Sequence, residues 1–268
     1  MSKSPHGTAI VTGASSGIGA TYADRLARRG YDLVLVARNA DRLEALAQKL
    51  QAETGVNAET LVADLAQGAD VARVEQRIAD DEAVTVLINN AGLVLKGDTL
   101  ENTPEEIETI IALNVTAAAR LAITAGKAFA ERGTGKIVNT ASILGIDYEG
   151  FEGVYSGSKA FLLALSRNIA ARVRDKGVLV QALLPGATRT EIWERSDKDV
   201  DSLPAEIVMS VDDLVDAALV GLDWGEEVTI PPLADEALWS AYEQDRAAMQ
   251  GKLSNREPGA RYRTPATA

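Results

Sequence analysis

The sequence predicts an α/β protein built on a mostly parallel sheet, and three observations carry that expectation. Apolar runs of strand length alternate with stretches of helical periodicity along most of the chain, the pattern of repeated βαβ units. The run from Tyr31 to Ala37 is apolar nearly throughout, as expected of a strand covered on both faces. The first run, Thr8 to Thr12, breaks into Gly13-Ala14-Ser15-Ser16-Gly17-Ile18-Gly19 and restarts as a helix, the outline of a backbone cradle for phosphate.

In the cradle, Gly13, Gly17 and Gly19 allow a tight turn and a close backbone approach. The helix starting near Gly17 aims unpaired N–H groups and its positive dipole end at a ligand. The spacing G-x-x-x-G-x-G differs from the common G-x-G-x-x-G fingerprint. On its own it also fits a strand-to-helix turn that needs glycine for geometry alone. The first helix runs through Ala20 to Arg29, and the strand Tyr31 to Ala37 follows. A second helix covers Asp41 to Glu53, with Leu43, Leu46 and Leu50 at helical spacing. Val56 to Ala63 reads as strand three, ending at Asp64, and a more polar helix from about Ala69 to Ile78 leads to strand four, Val84 to Ile88. Thr103-Pro104-Glu105-Glu106 offers a threonine N-cap with proline at the first helical position, opening a long helix to about Arg132.

Lys136 to Asn139 is strand five, Val154 to Arg174 a helix, and Val178 to Leu184 strand six. There the alternation lapses. Pro185 to Ala205 is long for a connection and carries two prolines and many charges, which marks a lid. Ser210-Val211-Asp212-Asp213 opens another helix, Glu227 to Ile230 is a last short strand, Asp235 to Gln250 a terminal helix, and Pro258 to Ala268 is expected to be loosely ordered. No repeat or composition shift marks a second domain. One domain is expected over 1–268, with a lid at about 186–210 and a C-terminal extension at about 232–268.

A chain of 268 residues that is 46% hydrophobic can bury a large core. Its 27 basic and 39 acidic residues give a formal charge of −12, a field that repels nucleic acid and anionic membrane. A phosphate-bearing ligand then has to be held by local donors. The absence of cysteine removes disulfides, a thiol nucleophile and thiolate metal sites. The single histidine, His6, lies in the N-terminal tail, which argues against a Ser-His-Asp triad or a multi-histidine zinc site, and no metal is expected. No apolar run approaches the roughly 20 residues needed to cross a bilayer, and no signal-like segment precedes the first strand. A soluble, cytoplasmic protein is expected.

Chemistry-bearing residues gather at the ends of strands four and five, in Asn89-Asn90-Ala91-Gly92 and Asn139-Thr140-Ala141-Ser142. The carboxyl ends of parallel strands are where such sheets bind ligands. Tyr155 and Lys159 follow at i and i+4, on one face of a helix. A free tyrosine has a pKa near 10, and a neighbouring ammonium is expected to lower it, making the pair a general acid/base. A Y-x-x-x-K on a helix can also be surface decoration; here it accompanies a glycine cradle, an Asn-Asn-Ala-Gly turn and a well-placed serine.

Together these motifs resemble those of the compact branch of the short-chain dehydrogenase/reductase family, and the likeness runs from Thr8 to about Ile230. It rests on Thr12 to Gly19, on Asn89 to Gly92, on Ser142, Tyr155 and Lys159, on Pro185-Gly186 followed by Thr190, and on Asn114 in Ala112-Leu113-Asn114-Val115. The resemblance implies a Rossmann-like, doubly wound three-layer α/β/α fold with a mostly parallel seven-stranded sheet in the order 3-2-1-4-5-6-7. It implies that Tyr155 protonates a carbonyl oxygen as hydride arrives from a nicotinamide, and that Ser142 hydrogen-bonds the same oxygen. Lys159 would hold the nicotinamide ribose and depress the tyrosine pKa, and Asn114 would position a water linking the lysine to solvent. Cofactor contacts implied in the same way are Gly13, Ser15, Ser16, Gly17, Ile18, Gly19, Asn90, Ala91, Gly92, Tyr155, Lys159, Pro185, Gly186, Thr188 and Thr190, with Asp64 and Leu65 at the adenine.

The second strand ends Val36-Ala37-Arg38-Asn39. Ala37 stands where an NAD enzyme places an acidic residue for the ribose 2′-OH, and Arg38 can grip a 2′-phosphate, so NADP(H) is expected. The other basic site of some members of the family is Ser16 here. By family position Leu93, Val94, Leu144, Phe151, Ile192 and Trp193 surround the substrate. Their mostly apolar character favours a lipophilic ketone or aldehyde, or the matching alcohol, as in carbonyl reductases and ketoreductases. Asp147, Glu149, Glu152, Glu191 and Glu194 are expected to be solvated rim charges that disfavour anionic substrates. Alternatives are a 3-oxoacyl thioester reductase, a non-catalytic NADP-binding protein, and a sugar-nucleotide epimerase or dehydratase of the extended branch, whose G-x-x-G-x-x-G spacing is absent here. Ala160 to Leu165 is apolar nearly all round and Ala117-Ala118-Ala119 permits close approach, so a homodimer or homotetramer is expected, unless both helices bury that surface within one subunit.

Overall fold

In the computed structural model, residues 4, 6–193 and 199–263 are described. The seven expected strands are β1 (Thr8–Thr12), β2 (Asp32–Ala37), β3 (Ala58–Val62), β4 (Val84–Asn89), β5 (Gly135–Thr140), β6 (Val178–Leu183) and β7 (Val228–Thr229). All pair in parallel in the order β3-β2-β1-β4-β5-β6-β7. The helices are α1 (Gly17–Arg28), α2 (Ala40–Thr54), α3 (Gly68–Asp80), α4 (Pro104–Ile110), α5 (Ala118–Arg132), α6 (Gly153–Val173), α7 (Val211–Trp224) and α8 (Glu236–Ala248).

Strand alternation sorts the side chains into two layers. Ala9, Val11, Leu33 and Leu35 meet α1, α2 and α7 through residues such as Tyr22, Leu26, Leu43, Leu50 and Leu219. Ile10, Val34 and Val36 point the other way and pack with Val74 and Ile78 of α3, Leu121 and Phe129 of α5, and Ile169 of α6. Each such fully buried Leu, Ile or Phe stabilises the fold by roughly 1.5–3 kcal/mol. The sheet is therefore covered on both faces, and its ligand-accessible part is the carboxyl edge.

The Thr103-Pro104-Glu105-Glu106 signal forms a capping box: Thr103 Oγ1 accepts from the Glu106 N–H and the Glu106 carboxylate accepts from the Thr103 N–H. The helix it opens is continuous to Arg132 but changes pitch, with a π-helical segment at Ile111–Ala117 between α4 and α5. At 29 residues, Pro104–Arg132 is long and apolar enough by length and composition to cross a membrane, contrary to the sequence expectation that no run qualifies. Its buried residues, including Ile110, Leu121 and Phe129, pack into the fold as a core helix does.

The chain divides into two compact units, Met1–Pro232 and Leu233–Ala268. The first contains the sheet. Within the second, α8 carries Trp239 stacked on Tyr242 with ring centroids 5.2 Å apart. Of the expected lid, 3-10 turns form at Val200–Ser202 and Ala205–Ile207, while Glu194 lies outside the described residues, as do 264–268 of the tail.

Candidate active site

Strand order reverses between β1 and β4, and the crevice at a sheet's carboxyl edge opens at such a point. Thr12 joins its two sides. The Thr12 hydroxyl accepts from the N–H groups of Asn90 (2.8 Å) and Ala91 (3.0 Å) and donates to the Ile88 carbonyl at 3.2 Å. The Asn90 amide donates back to the Thr12 carbonyl at 3.1 Å. Glycine is required where α1 meets this turn: a Cβ on Gly19 would stand 2.3 Å from the Gly13 carbonyl oxygen, and Gly13 itself has φ +66°. Ser16 caps α1 in an extended conformation without a side-chain cap hydrogen bond, so among the described residues the first-turn N–H groups are left to a ligand or solvent. A cradle that a Cβ would fill, lined by helix-terminal donors, fits a dinucleotide pyrophosphate.

The end of β5 and the start of α6 hold the reactive side chains. Lys159 is 6% exposed, and its Nζ donates to the Thr140 carbonyl at 2.8 Å. Burial holds its pKa down to about 8. That ammonium lies 5.5 Å from the centre of the Tyr155 ring, on the shared helix face anticipated from their spacing. Burial also pushes the Tyr155 phenol up to about 12, and the Ser142 hydroxyl offsets only part of this. The expectation that Lys159 lowers the tyrosine below its ordinary value is thus corrected. The amine is turned onto the Thr140 carbonyl, and withdrawal of the phenol from water is the largest influence on it.

Asn114 sits in the π-helical segment, 2% exposed. Its Oδ1 accepts from the Leu93 N–H at 2.9 Å, and its Nδ2 donates to the Leu93 carbonyl at 2.8 Å and to Ser158 Oγ at 3.3 Å. A Cβ on Gly92 would stand 3.3 Å from Asn114 Oδ1 and 3.6 Å from Lys159 Nζ, so the Asn-Asn-Ala-Gly turn, the asparagine and the lysine converge.

A cavity of about 700 Å³ opens beside these groups. From the expected cofactor set it is lined by Ile18, Asn90, Gly92, Pro185, Gly186, Thr188 and Thr190; from the expected substrate set by Val94, Leu144, Phe151, Ile192 and Trp193; and by Ser142, Tyr155 and Lys159. The Trp193 indole is fixed by donating to the Thr188 carbonyl at 2.7 Å. Gly13, Ser15, Ser16, Gly17, Gly19 and Ala91 form the adjoining turn and do not line the cavity. Leu93 does not line it either; its backbone is taken up by Asn114. Leu65, expected at the adenine, buries its side chain in the core at 5% exposure, because the strand-to-helix connection turns it inward. Asp64 accepts from the Ala66 N–H at 3.1 Å. Arg38 is exposed, and no described residue pairs with it.

The expected acidic rim holds at Asp147 and Glu149 and fails at Glu152. Asp147 and Glu149 are exposed, but Glu191 pairs with Arg42 at 2.7 Å and Glu152 is 3% exposed. Leu203 and Ile207, which sequence reasoning did not single out, close part of the cavity. Their i, i+4 spacing in an otherwise polar stretch was the available signal.

A family profile described as short chain dehydrogenase matches residues 7–201. Among solved structures, the chain is similar to a short-chain dehydrogenase from Sphingobium yanoikuyae in complex with NADPH, at 49% identity, TM-score 0.93, covering 96% of this chain and 100% of that one. It is also similar to the bulky-bulky ketone specific alcohol dehydrogenase from Comamonas testosteroni, at 42% identity, TM-score 0.88, covering 96% and 98%. Human 17-beta-hydroxysteroid dehydrogenase type 3 is 30% identical over 200 residues, 74% of this chain and 64% of that protein, so the match spans less than two thirds of that relative's length.

Proposed function

We propose, for a chain that belongs to the short-chain dehydrogenase family, the NADP(H)-dependent interconversion of a lipophilic ketone and its secondary alcohol. The observation that carries this reading is the convergence of Ser142, Tyr155 and Lys159 on one cavity that also reaches the turn around Ile18, Asn90 and Gly92. The dinucleotide, when bound, supplies or accepts the hydride. Tyr155, protonated at neutral pH with a pKa near 12, delivers the proton to the carbonyl oxygen. Ser142 hydrogen-bonds that oxygen and stabilises the charge growing on it. Lys159, still mostly cationic at pH 7 with a pKa near 8, favours the phenolate left behind. Asn114, engaged at both ends of its side chain, holds the Gly92–Leu93 turn beside that lysine.

Arg38 supports NADP(H) over NAD(H), being exposed and free of described partners where a 2′-phosphate would arrive. The Sphingobium relative, in complex with NADPH, supports the same choice. Val94, Leu144, Phe151, Trp193, Leu203 and Ile207, which line the cavity, favour an apolar substrate. The Comamonas enzyme, specific for bulky-bulky ketones, supports that class. We further infer a homo-oligomer, because Ile111, Ile123 and Phe161 leave about 40% of their surface exposed on the long helices.

A panel of aryl and branched ketones with NADPH, followed by nicotinamide absorbance, tests the activity. Reduction of bulky ketones ahead of 3-oxoacyl thioesters is expected. Tyr155→Phe should lower kcat by roughly 10²–10⁴-fold while NADPH still binds, measured by fluorescence titration. Turnover that survives this change would remove Tyr155 from its role.

A further inference from the structure

Helix α6 carries both Tyr155 and Lys159, and its first turn is held in an unusual way. Val154 and Tyr155 donate their N–H groups to the two oxygens of one carboxylate, Glu152 Oε1 at 2.7 Å and Oε2 at 2.6 Å. Gly153 donates to Thr99 Oγ1 at 2.7 Å, and Ser156 donates to the Glu152 carbonyl at 3.0 Å. The N–H groups of the first three helical residues, which a helix start leaves without helical partners, are thereby all taken by side chains, and Ser156 makes the first helical bond. Other helices in the fold do less: Asn39 and Ser210 each accept one such bond, and α1 has none.

Glutamate is not among the favoured N-cap residues, and burying a carboxylate costs desolvation unless both oxygens are bonded. Here it is 3% exposed and fully engaged, beside the positive end of the helix dipole. The second support is equally fixed. Thr99 stands on a turn closed by a reciprocal Asp98–Glu101 capping box, close enough that a Cβ on Gly153 would meet it at 3.2 Å. Phe151, the residue before Glu152, packs edge-on against the Tyr155 ring with centroids 5.9 Å apart. Lys159 is anchored separately, to Thr140. Loosening the first turn therefore moves the phenol relative to the lysine.

We propose that Glu152 is a positioning residue: with Thr99 it clamps the first turn of α6 so that the Tyr155 hydroxyl is held where the proton is delivered. The inference rests on the reading of Tyr155 as the acid. It is tested on the full-length protein with NADPH and whichever panel ketone the unaltered protein reduces fastest. Glu152→Ala should lower kcat about tenfold or more, since small misplacements near the reacting atoms are costly. KM for the ketone and the NADPH dissociation constant, read by fluorescence, should stay within about threefold. Amide exchange at 153–156 should accelerate, and Tm should fall by roughly 2–4 °C.

Glu152→Asp, which keeps a carboxylate that caps well, should return kcat to within about threefold of the unaltered value. Should Glu152→Ala fail to fold, Glu152→Gln and Thr99→Val carry the comparison, each expected to lose kcat with NADPH affinity kept. A variant with lowered Tm but kcat within about twofold of the unaltered protein overturns the inference and leaves Glu152 a structural cap. So does Glu152→Asp behaving like Glu152→Ala. An unaltered protein inactive on every ketone overturns the proposed activity, and this inference with it; an active one indifferent to Glu152 overturns the inference alone.

Discussion

Burial disfavours the charged form of both Tyr155 and Lys159, pushing the phenol up to about 12 and the ammonium down to about 8. Ketone reduction needs the protonated phenol and gains from the cationic amine, so kcat/KM for reduction should decline as pH rises through about 8, while the tyrosine proton is still held. A profile flat through that pH would show that Lys159 keeps its proton. Stability follows with a definite sign. The Lys159 pKa is lower folded than unfolded, so between about 8 and 10.5 the unfolded chain binds the extra proton and stability rises with pH. Tyr155 acts oppositely, its contribution full below 10 and lost toward about 12. Urea unfolding of Lys159→Met should lack the rise that the unaltered protein shows above pH 8. At the other end of the crevice Arg38→Asp should move the preference from NADPH towards NADH, and an unchanged ratio of the two kcat/KM values would rule out the arginine as the reader of the 2′-phosphate.

At the scale of elements, the β1–α1 unit depends on one close approach and α4–α5 on one change of pitch. Gly19→Ala would place a methyl 2.3 Å from the Gly13 carbonyl oxygen, so α1 must withdraw from the turn. A loss of about 1–3 kcal/mol in stability, read by denaturant unfolding, and a clear loss of NADPH affinity are expected together. The π-helical segment has a different use. A wider turn at Ile111–Ala117 brings Asn114 onto the Leu93 backbone, which a continuous α-helix of the same sequence would present at another angle. The helix as such was legible from Thr103-Pro104 and its apolar period. The change of pitch was not, because it is decided by what Asn114 can bond across the crevice.

For the whole molecule, the proposed association rests on an apolar surface along the π-helical segment, α5 and α6, where Ile111, Ile123 and Phe161 stay about 40% exposed. Glutamate at both Ile123 and Phe161 should lower the mass of the species seen by light scattering, and a monomer in the unaltered protein at micromolar concentration would reject the association. The sequence by itself determined the strand order's raw material, the glycine turn and the i, i+4 pairing of Tyr155 with Lys159. These are written in spacings along one strand or helix and need no knowledge of distant neighbours. Tertiary structure alone decided that Glu152 is a buried cap and not a rim charge, that the Leu65 side chain lies in the core and the Leu93 backbone is bonded by Asn114, and that the Tyr155 pKa rises. Burial and choice of partner depend on segments far away in the chain, such as Thr99 against Gly153 or Thr140 against Lys159, and no local pattern reports them.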